Sequence, residues 1–251
     1  MRRFRCEMVE VNKAKHALVL AAGKGSRLKD YTKQKTIHYI DGVPLLGIIL
    51  QGLKDAGIQS VVIVIGYEAD NIQQEIGNNY LGLNITYVVA KNWEKGNLHS
   101  FLSAKSALKD NFILCMGDHI FDSRIVENLI RFEHKNSIVL AIDRVGHASD
   151  DTKVLEQDGV ILNIGTGIHP SNGVNTGFFL CSPKMFSYAE MVAEQGKEEL
   201  DDCIRVAAKN KDTQVLDVSG HYWVDVYNKE DLERAKMVLA KKFGKKEQNR
   251  K

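Results

Sequence analysis

Leu18-Val-Leu-Ala-Ala-Gly-Lys-Gly-Ser-Arg-Leu28 is an apolar run that stops abruptly at two glycines and an arginine. His16 to Ala21 is too short for a helix and too continuously apolar for a half-exposed strand. It predicts a central strand of a parallel sheet covered on both faces. Gly23 and Gly25 then remove two side chains from the turn. Glycine permits positive φ and close backbone approach, so successive N–H groups can converge on an anion, while Lys24 and Arg27 add positive charge. Such a strand and loop suit a nucleoside triphosphate, with Leu20, Ala21, Ala22, Gly23, Lys24, Gly25, Ser26 and Arg27 as candidate contacts.

Two better-known phosphate loops do not fit this spacing. A dinucleotide fingerprint needs a third glycine where Leu28 stands. A Walker loop needs Gly-Lys followed directly by Ser or Thr, whereas Lys24 is followed by Gly25.

Downstream, Thr32-Lys-Gln-Lys-Thr36 leads to Tyr39-Ile-Asp-Gly-Val43. Pro44 then opens an amphipathic helix through Leu45, Leu46, Ile49, Leu50 and Leu53 that closes at Gly57. Ser60 to Ile65 predicts a second buried strand, Asp70 to Ile76 a short helix, and Ile85 to Ala90 a third strand. Strand–helix alternation of this kind builds parallel strands through right-handed crossovers, and ligands of such sheets bind beyond the carboxyl ends of the strands. The Gly23 loop lies at one such end.

The polar stretch from Asn92 to Asn97 precedes a helix marked by Leu98, Leu102 and Leu108, with Asn97 placed as its N-cap. Beside the first strand, Asn97 and Ser100 would offer hydrogen bonds to a base or ribose. Phe112-Ile-Leu-Cys-Met-Gly-Asp-His-Ile is another buried strand, ending in Gly117-Asp118. A carboxylate there is a candidate Mg²⁺ ligand, because Mg²⁺ is commonly held by one or two carboxylates plus nucleotide phosphates and water. Strand-Gly-Asp is also a plain turn. His119 is expected to orient the loop or meet a second substrate, since Mg²⁺ prefers oxygen ligands.

A helix over 123–134 and a strand over 137–142 follow, and then the organisation changes. Two β segments between Thr152 and Gly165 flank Asp158-Gly159, a hairpin signal, and should lie to one side of the nucleotide half. Gly173 to Leu180 is a further strand whose start carries Asn175 and Thr176 between glycines, suggesting a bulge or a close ligand. Helices over 184–194 and 198–209 and a strand over 213–218 precede Asp225, which stands just before a last helix over 229–243. Asp225 is the second lone carboxylate that could complete a metal site.

The chain has 251 residues, enough for one large α/β domain, and no linker, repeat or low-complexity tract divides it. Net charge is +2, but the ends are basic and the middle is not. Positions 16–240 carry 23 basic against 29 acidic residues, which argues against a broad nucleic-acid face. We therefore expect a basic leader over 1–15, one domain over 16–240, and a basic, frayed tail over 241–251. Four cysteines, at 6, 115, 181 and 203, have no metal-site spacing and read as reduced thiols. No signal-peptide core and no membrane-length apolar run occurs, so a soluble cytoplasmic protein is expected.

Ala21-Ala-Gly-Lys-Gly-Ser-Arg-Leu28, Lys35, Gly96-Asn97-x-x-Ser100, Gly117-Asp118-His119, Asn175-Thr176-Gly177 and Trp223-Val-Asp-Val226 fall in the order seen in sugar-phosphate nucleotidyltransferases. The chain resembles that superfamily from residue 17 to about 236. Gly-Asp-His and the Thr152-Lys-Val154 hairpin resemble most the CTP:inositol-1-phosphate cytidylyltransferases. The resemblance implies an α/β, Rossmann-like three-layer fold with a mixed, mostly parallel central sheet and a β-hairpin subregion for the acceptor. It implies a single displacement in which the acceptor's phosphate attacks the α-phosphorus of CTP and pyrophosphate leaves. The catalytic set would be Lys35, Arg27 and Lys153. Mg²⁺ would sit on Asp118 and Asp225, Gly117 would join the nucleotide contacts, and His119, Lys153, Asn175 and Thr176 would receive the acceptor.

In that superfamily the lysine usually precedes proline. Here Lys35 precedes Thr36, and Lys33 is the nearby rival. Phosphocholine and hexose 1-phosphates are alternative acceptors, and uridylyl transfer is an alternative reaction. A catalytically silent nucleotide-binding subunit, or an RNA-binding role for the tail, belongs to other classes. The joint presence of Lys35, Asp118 and Asp225 weighs against the silent subunit. The oligomeric state is open, a homodimer included.

Overall fold

The central strands of the sheet divide their side chains between two apolar cores, and that division is why continuous apolar runs form strands here. The computed structural model describes residues 14–25, 35–145 and 151–248, with side chains to residue 240. The first half contains β1 (His16–Ala21), a small hairpin of β2 (Tyr39–Ile40) and β3 (Val43–Pro44), α1 (Leu45–Asp55), β4 (Ser60–Ile65), α2 (Ala69–Ile76), β5 (Asn79–Tyr80) and β6 (Leu83–Val89). Next come α3 (Asn97–Ser103), β7 (Phe112–Met116), β8 (His119–Phe121), α4 (Ser123–Arg131) and β9 (Ile138–Asp143). The second half holds β10 (Lys153–Gln157), β11 (Val160–Gly165), β12 (Gly173–Cys181), α5 (Met185–Ala193), α6 (Leu200–Lys209), β13 (Thr213–Asp217), β14 (Trp223–Asp225) and α7 (Lys229–Gln248).

Ten of these strands form one mixed sheet, in which β11-β10-β12-β7-β1-β4-β6-β5 run side by side and β9 joins β12 to β13. β1 is parallel to β4 and β7, with Val19 opposite Ile63 and Cys115. β4 is parallel to β6, whereas β12 is antiparallel to β7 and β9. One core takes Ala17, Val19 and Ala21 of β1 together with α1, α4 and α7; the other takes Leu18 and Leu20 with α3, α5 and α6. The result is the expected three-layer α/β fold with a mostly parallel nucleotide half.

The hairpin expected around Asp158-Gly159 is β10–β11, with φ of 52° and 79° at its two turn residues. It sits at the sheet's edge and is continuous with it, since Lys153 and Val154 pair with Val174 and Gly173. Several elements depart from the sequence reading, the short strands β2, β3, β5 and β14 among them. The helix after Asn97 stops at Ser103, and Leu108 is buried beyond a separate 3₁₀ turn over 105–107. β8 is a strand the sequence reading lacked. α7 runs on to Gln248, past Phe243 and into the basic tail, as residues of good helix propensity without proline allow. Residues 1–13 and 249–251 lie outside the described residues.

Candidate active site

The chain runs from β1 out to β4 and β6 and then returns to β7 on the other side of β1, so β1 and β7 flank a topological switch point. Their carboxyl ends approach closely because position 117 is glycine. Gly117 N donates to Leu20 O at 2.8 Å. A Cβ on Gly117 would lie 2.9 Å from both Ala21 Cβ and Leu20 O. β8 then pairs antiparallel with β14, setting His119 opposite Asp225, and Val226 N donates to Asp118 O at 3.0 Å. This register brings Asp118 and Asp225 together.

Lys35 opens a 3₁₀ turn (Lys35–Ile37) and is only 7% exposed. Its Nζ lies 2.7 Å from Asp118 Oδ2 and 3.7 Å from Asp225 Oδ1, with the Tyr227 ring 5.6 Å away. Gly25, at φ +61°, backs onto this lysine, and a Cβ there would come within 2.5 Å of Lys35 Cβ. Gly23 faces open space. A cavity of about 270 Å³ is lined by Leu20, Ala21, Gly23, Gly25, Lys35, Thr36, Gly117, Asp118 and Tyr227. Lys35 thus stands in the cavity wall, paired with both carboxylates; its rival Lys33, like Ser26 and Arg27, lies outside the described residues.

Burial opposes charge on Asp118, but the Lys35 ammonium and the hydrogen bond with His119 outweigh it and hold the carboxyl below the usual range. An ionised carboxylate only accepts, so His119 Nδ1 donates to Asp118 Oδ1 at 2.8 Å. Burial disfavours the imidazolium, but Asp225 and Asp118 together raise the His119 pKa. For Asp225, burial and the neighbouring charge of Asp118 push the pKa up, despite His119 and Lys35. The His119 ring is held between Trp223, stacked at 6.3 Å, and Phe178, edge-on at 6.1 Å.

Asp118, His119 and Asp225 present ligand atoms within 4.8 Å of one another. Asp225 Oδ1 is buried without a hydrogen-bond partner among the described residues. Two carboxylates, one with an idle oxygen, fit a hard divalent cation such as Mg²⁺. His119 Nδ1 is committed to Asp118.

The remaining candidates divide. Lys24 extends over the Tyr67 ring, its Nζ 5.1 Å from the centroid, and Ala22 O accepts from Tyr67 N at 3.0 Å. Asn97 is not the N-cap: Gly96 is, and Asn97 Oδ1 instead accepts from Leu200 N at 2.8 Å, tying α3 to the start of α6. Ser100 is buried and its hydroxyl faces its own helix, 3.5 Å from Gly96 O. On the acceptor side, Asn175 N donates to Thr152 O at 2.9 Å, and Lys153 pairs with Val174, one residue before Asn175.

Thr176 does not present its side chain to a ligand. It is 0% exposed and donates its hydroxyl to Ala141 O at 2.8 Å. The Asn175 side chain accepts from Gly177 N at 2.8 Å, inside the irregular stretch where the β12–β9 register shifts. Gly177, at φ +80°, lies against the His119 ring. The sequence reading passed over Thr36 and Tyr227, both in the cavity wall; the only cue for Thr36 was that it stands where proline is usual.

One strand-end carboxylate, a buried lysine and two loop glycines line one cavity, with Asp225 beside the lysine. The chain belongs to the MobA-like NTP transferase domain family, which matches residues 17–227. It is 31% identical, over 90% of its length, to the bifunctional IPC transferase and DIPP synthase of Aquifex aeolicus, covering 52% of that protein. The protein of the same name in Archaeoglobus fulgidus is 32% identical, with 89% of this chain and 43% of the relative covered. The chain therefore spans about half the length of these curated relatives. It is 29% identical to the UTP–glucose-1-phosphate uridylyltransferase of Haloferax volcanii, across 89% of this chain and 96% of that one. Among solved structures, the inositol-1-phosphate CTP transferase from T. maritima shares the fold with a TM-score of 0.80 at 24% identity, over 87% and 91% of the two chains.

Proposed function

We propose that this protein transfers a cytidylyl group from CTP to inositol 1-phosphate, giving CDP-inositol and pyrophosphate. The observation that carries the reading is Lys35, held between Asp118 and Asp225 at the mouth of the glycine loop. The names of the Aquifex and Archaeoglobus relatives and of the T. maritima structure support the choice of base and acceptor.

In-line phosphoryl-type transfer is catalysed chiefly by positioning and by neutralising charge on the transferred group. The loop amides, Lys24 and Arg27 would hold the β- and γ-phosphates and receive the leaving pyrophosphate. Lys35 would stand against the α-phosphate and the attacking oxygen. Lys153 would take the acceptor's phosphate, and Asn175 an acceptor hydroxyl through the amide hydrogens its bond with Gly177 leaves free. Mg²⁺, held by Asp118 and Asp225, would neutralise charge on the α-phosphate. His119 would keep the Asp118 carboxylate oriented through its Nδ1–H. We place the activity in the cytoplasm, without nucleic acid as partner.

Uridylyl transfer to a hexose 1-phosphate is the second reading, supported by the Haloferax relative matched over 96% of its length. Pyrophosphate release should be measured for each nucleoside triphosphate against inositol 1-phosphate, phosphocholine and hexose 1-phosphates, before and after chelation of divalent metal. The expected outcome is turnover with CTP and inositol 1-phosphate that chelation abolishes and added Mg²⁺ restores. UTP with glucose 1-phosphate as the best pair would select the second reading, and silence across the panel would remove both.

A further inference from the structure

We infer that the Thr36 hydroxyl, which has no partner among the described residues, is a ligand-binding group of the cavity that donates to a phosphate oxygen of the bound nucleotide. This rests on the proposed nucleotidyl transfer and adds a residue to it.

Buried side-chain hydroxyls are nearly always hydrogen-bonded, because an unpaired one forfeits its interactions with water and gains nothing in return. Among the described residues, four buried side-chain polar atoms break that rule: Thr36 Oγ1, Thr213 Oγ1, His221 Nδ1 and Asp225 Oδ1. Two of the four meet at Lys35. Thr36 follows it in the same 3₁₀ turn, and Asp225 Oδ1 lies 3.7 Å from its Nζ. Thr213 and His221 do not line the cavity, whereas Thr36 does. The Thr36 residue is 5% exposed, so bulk water is poorly placed to satisfy the hydroxyl.

The cavity that Thr36 lines is shared by Gly23, Gly25 and Lys35, which offer open backbone and a cation to an anion, and by the Asp118 carboxylate, which Lys35 pairs at 2.7 Å. A threonine hydroxyl carries one donor hydrogen that rotates freely to meet a phosphate oxygen. An unsatisfied group that costs the empty protein stability and is satisfied by ligand is the pattern of a site organised in advance of binding.

Thr36→Val removes the hydroxyl at nearly constant shape, and Thr36→Ser retains it. Both variants and the wild type should be titrated with inorganic pyrophosphate and with CTP by calorimetry, and melted without ligand. Thr36→Val is expected to melt at or above the wild-type temperature and to bind both probes about tenfold more weakly, the scale of one hydrogen bond to a charged acceptor. Thr36→Ser is expected to bind like wild type. Unchanged affinity in Thr36→Val would overturn the inference. So would a lower melting temperature, which would show that the hydroxyl is satisfied within the fold. Wild-type protein that turns over no triphosphate–acceptor pair would sink the parent reading and this one with it; wild-type turnover with full affinity in Thr36→Val would sink this one alone.

Discussion

A lysine that is 7% exposed must keep its ammonium paired, and Lys35 does so only by standing between Asp118 and Asp225. The same pairing sets its chemistry, since a cation held by carboxylates at a cavity wall is poised where a phosphate would develop charge. Lys35→Ala or Asp118→Ala should leave a folded protein, by circular dichroism and melting, and lower turnover by at least ~100-fold, the scale of losing one electrostatic stabiliser. Near-normal activity in either variant would remove that residue from the mechanism. At this scale much was legible: Gly117-Asp118 at the end of an apolar run and the lysine after a glycine loop can be read directly. Thr176 could not be read. A threonine between glycines looks the same whether its hydroxyl meets a substrate or, as here, the carbonyl of Ala141.

Among the elements, the loop after β1 and the irregular stretch of β12 each place one glycine against a site residue. The two loop glycines differ in their role. An alanine methyl at Gly25 would press on Lys35 and strain a φ of +61°, whereas at Gly23 it would enter open cavity. Gly25→Ala should therefore lower both melting temperature and turnover. Gly23→Ala should melt like wild type yet bind CTP more weakly in an equilibrium titration; equal affinity would show that no ligand approaches that backbone. In β12, a methyl at Gly177 would lie 2.8 Å from His119 Cδ2 and Nε2 at a φ of +80°. Gly177→Ala should cost roughly 1–3 kcal/mol in chemical denaturation, the range for backbone strain of this kind. It should also reduce turnover by displacing the ring that orients Asp118. The strand β8 escaped the sequence reading because three residues carry no periodicity; it exists through its partner β14.

At the scale of the whole molecule, Asp212 joins three elements beyond the active site. It takes a salt bridge from Lys184 at 2.7 Å, a bond from Ser137 N at 2.9 Å and one from Tyr188 Oη at 2.8 Å. Partial burial opposes the charge, but these partners prevail and hold the carboxyl at about 2. Because that lies below the ordinary aspartate value of ~3.9, its contribution to stability is present above pH ~4 and is lost as pH falls toward 2. Asp212→Asn should be less stable than wild type at pH 6 and should lose less further stability between pH 4 and pH 2.5. Urea denaturation midpoints at the three pH values check this, and parallel curves for the two proteins would refute it.

The sequence by itself determined the class of fold and pointed to Lys35, Asp118 and the glycine loop, which the structure brings to one cavity. Apolar runs of strand length alternating with amphipathic segments leave a two-sided sheet as the economical way to bury them, and a glycine loop after the first strand marks where an anion can sit. Only the tertiary structure decided which polar residues share the cavity. Asp225 reaches Asp118 through the β8–β14 register, Asn97 is drawn away to α6, and Thr36, in the cavity wall, keeps a hydroxyl with no hydrogen-bond partner among the described residues. Hydrophobic burial is written locally, as a pattern repeating every two or four residues. The pairing of a particular hydrogen-bond donor depends on strands distant in the chain meeting in one register, and no local pattern records that.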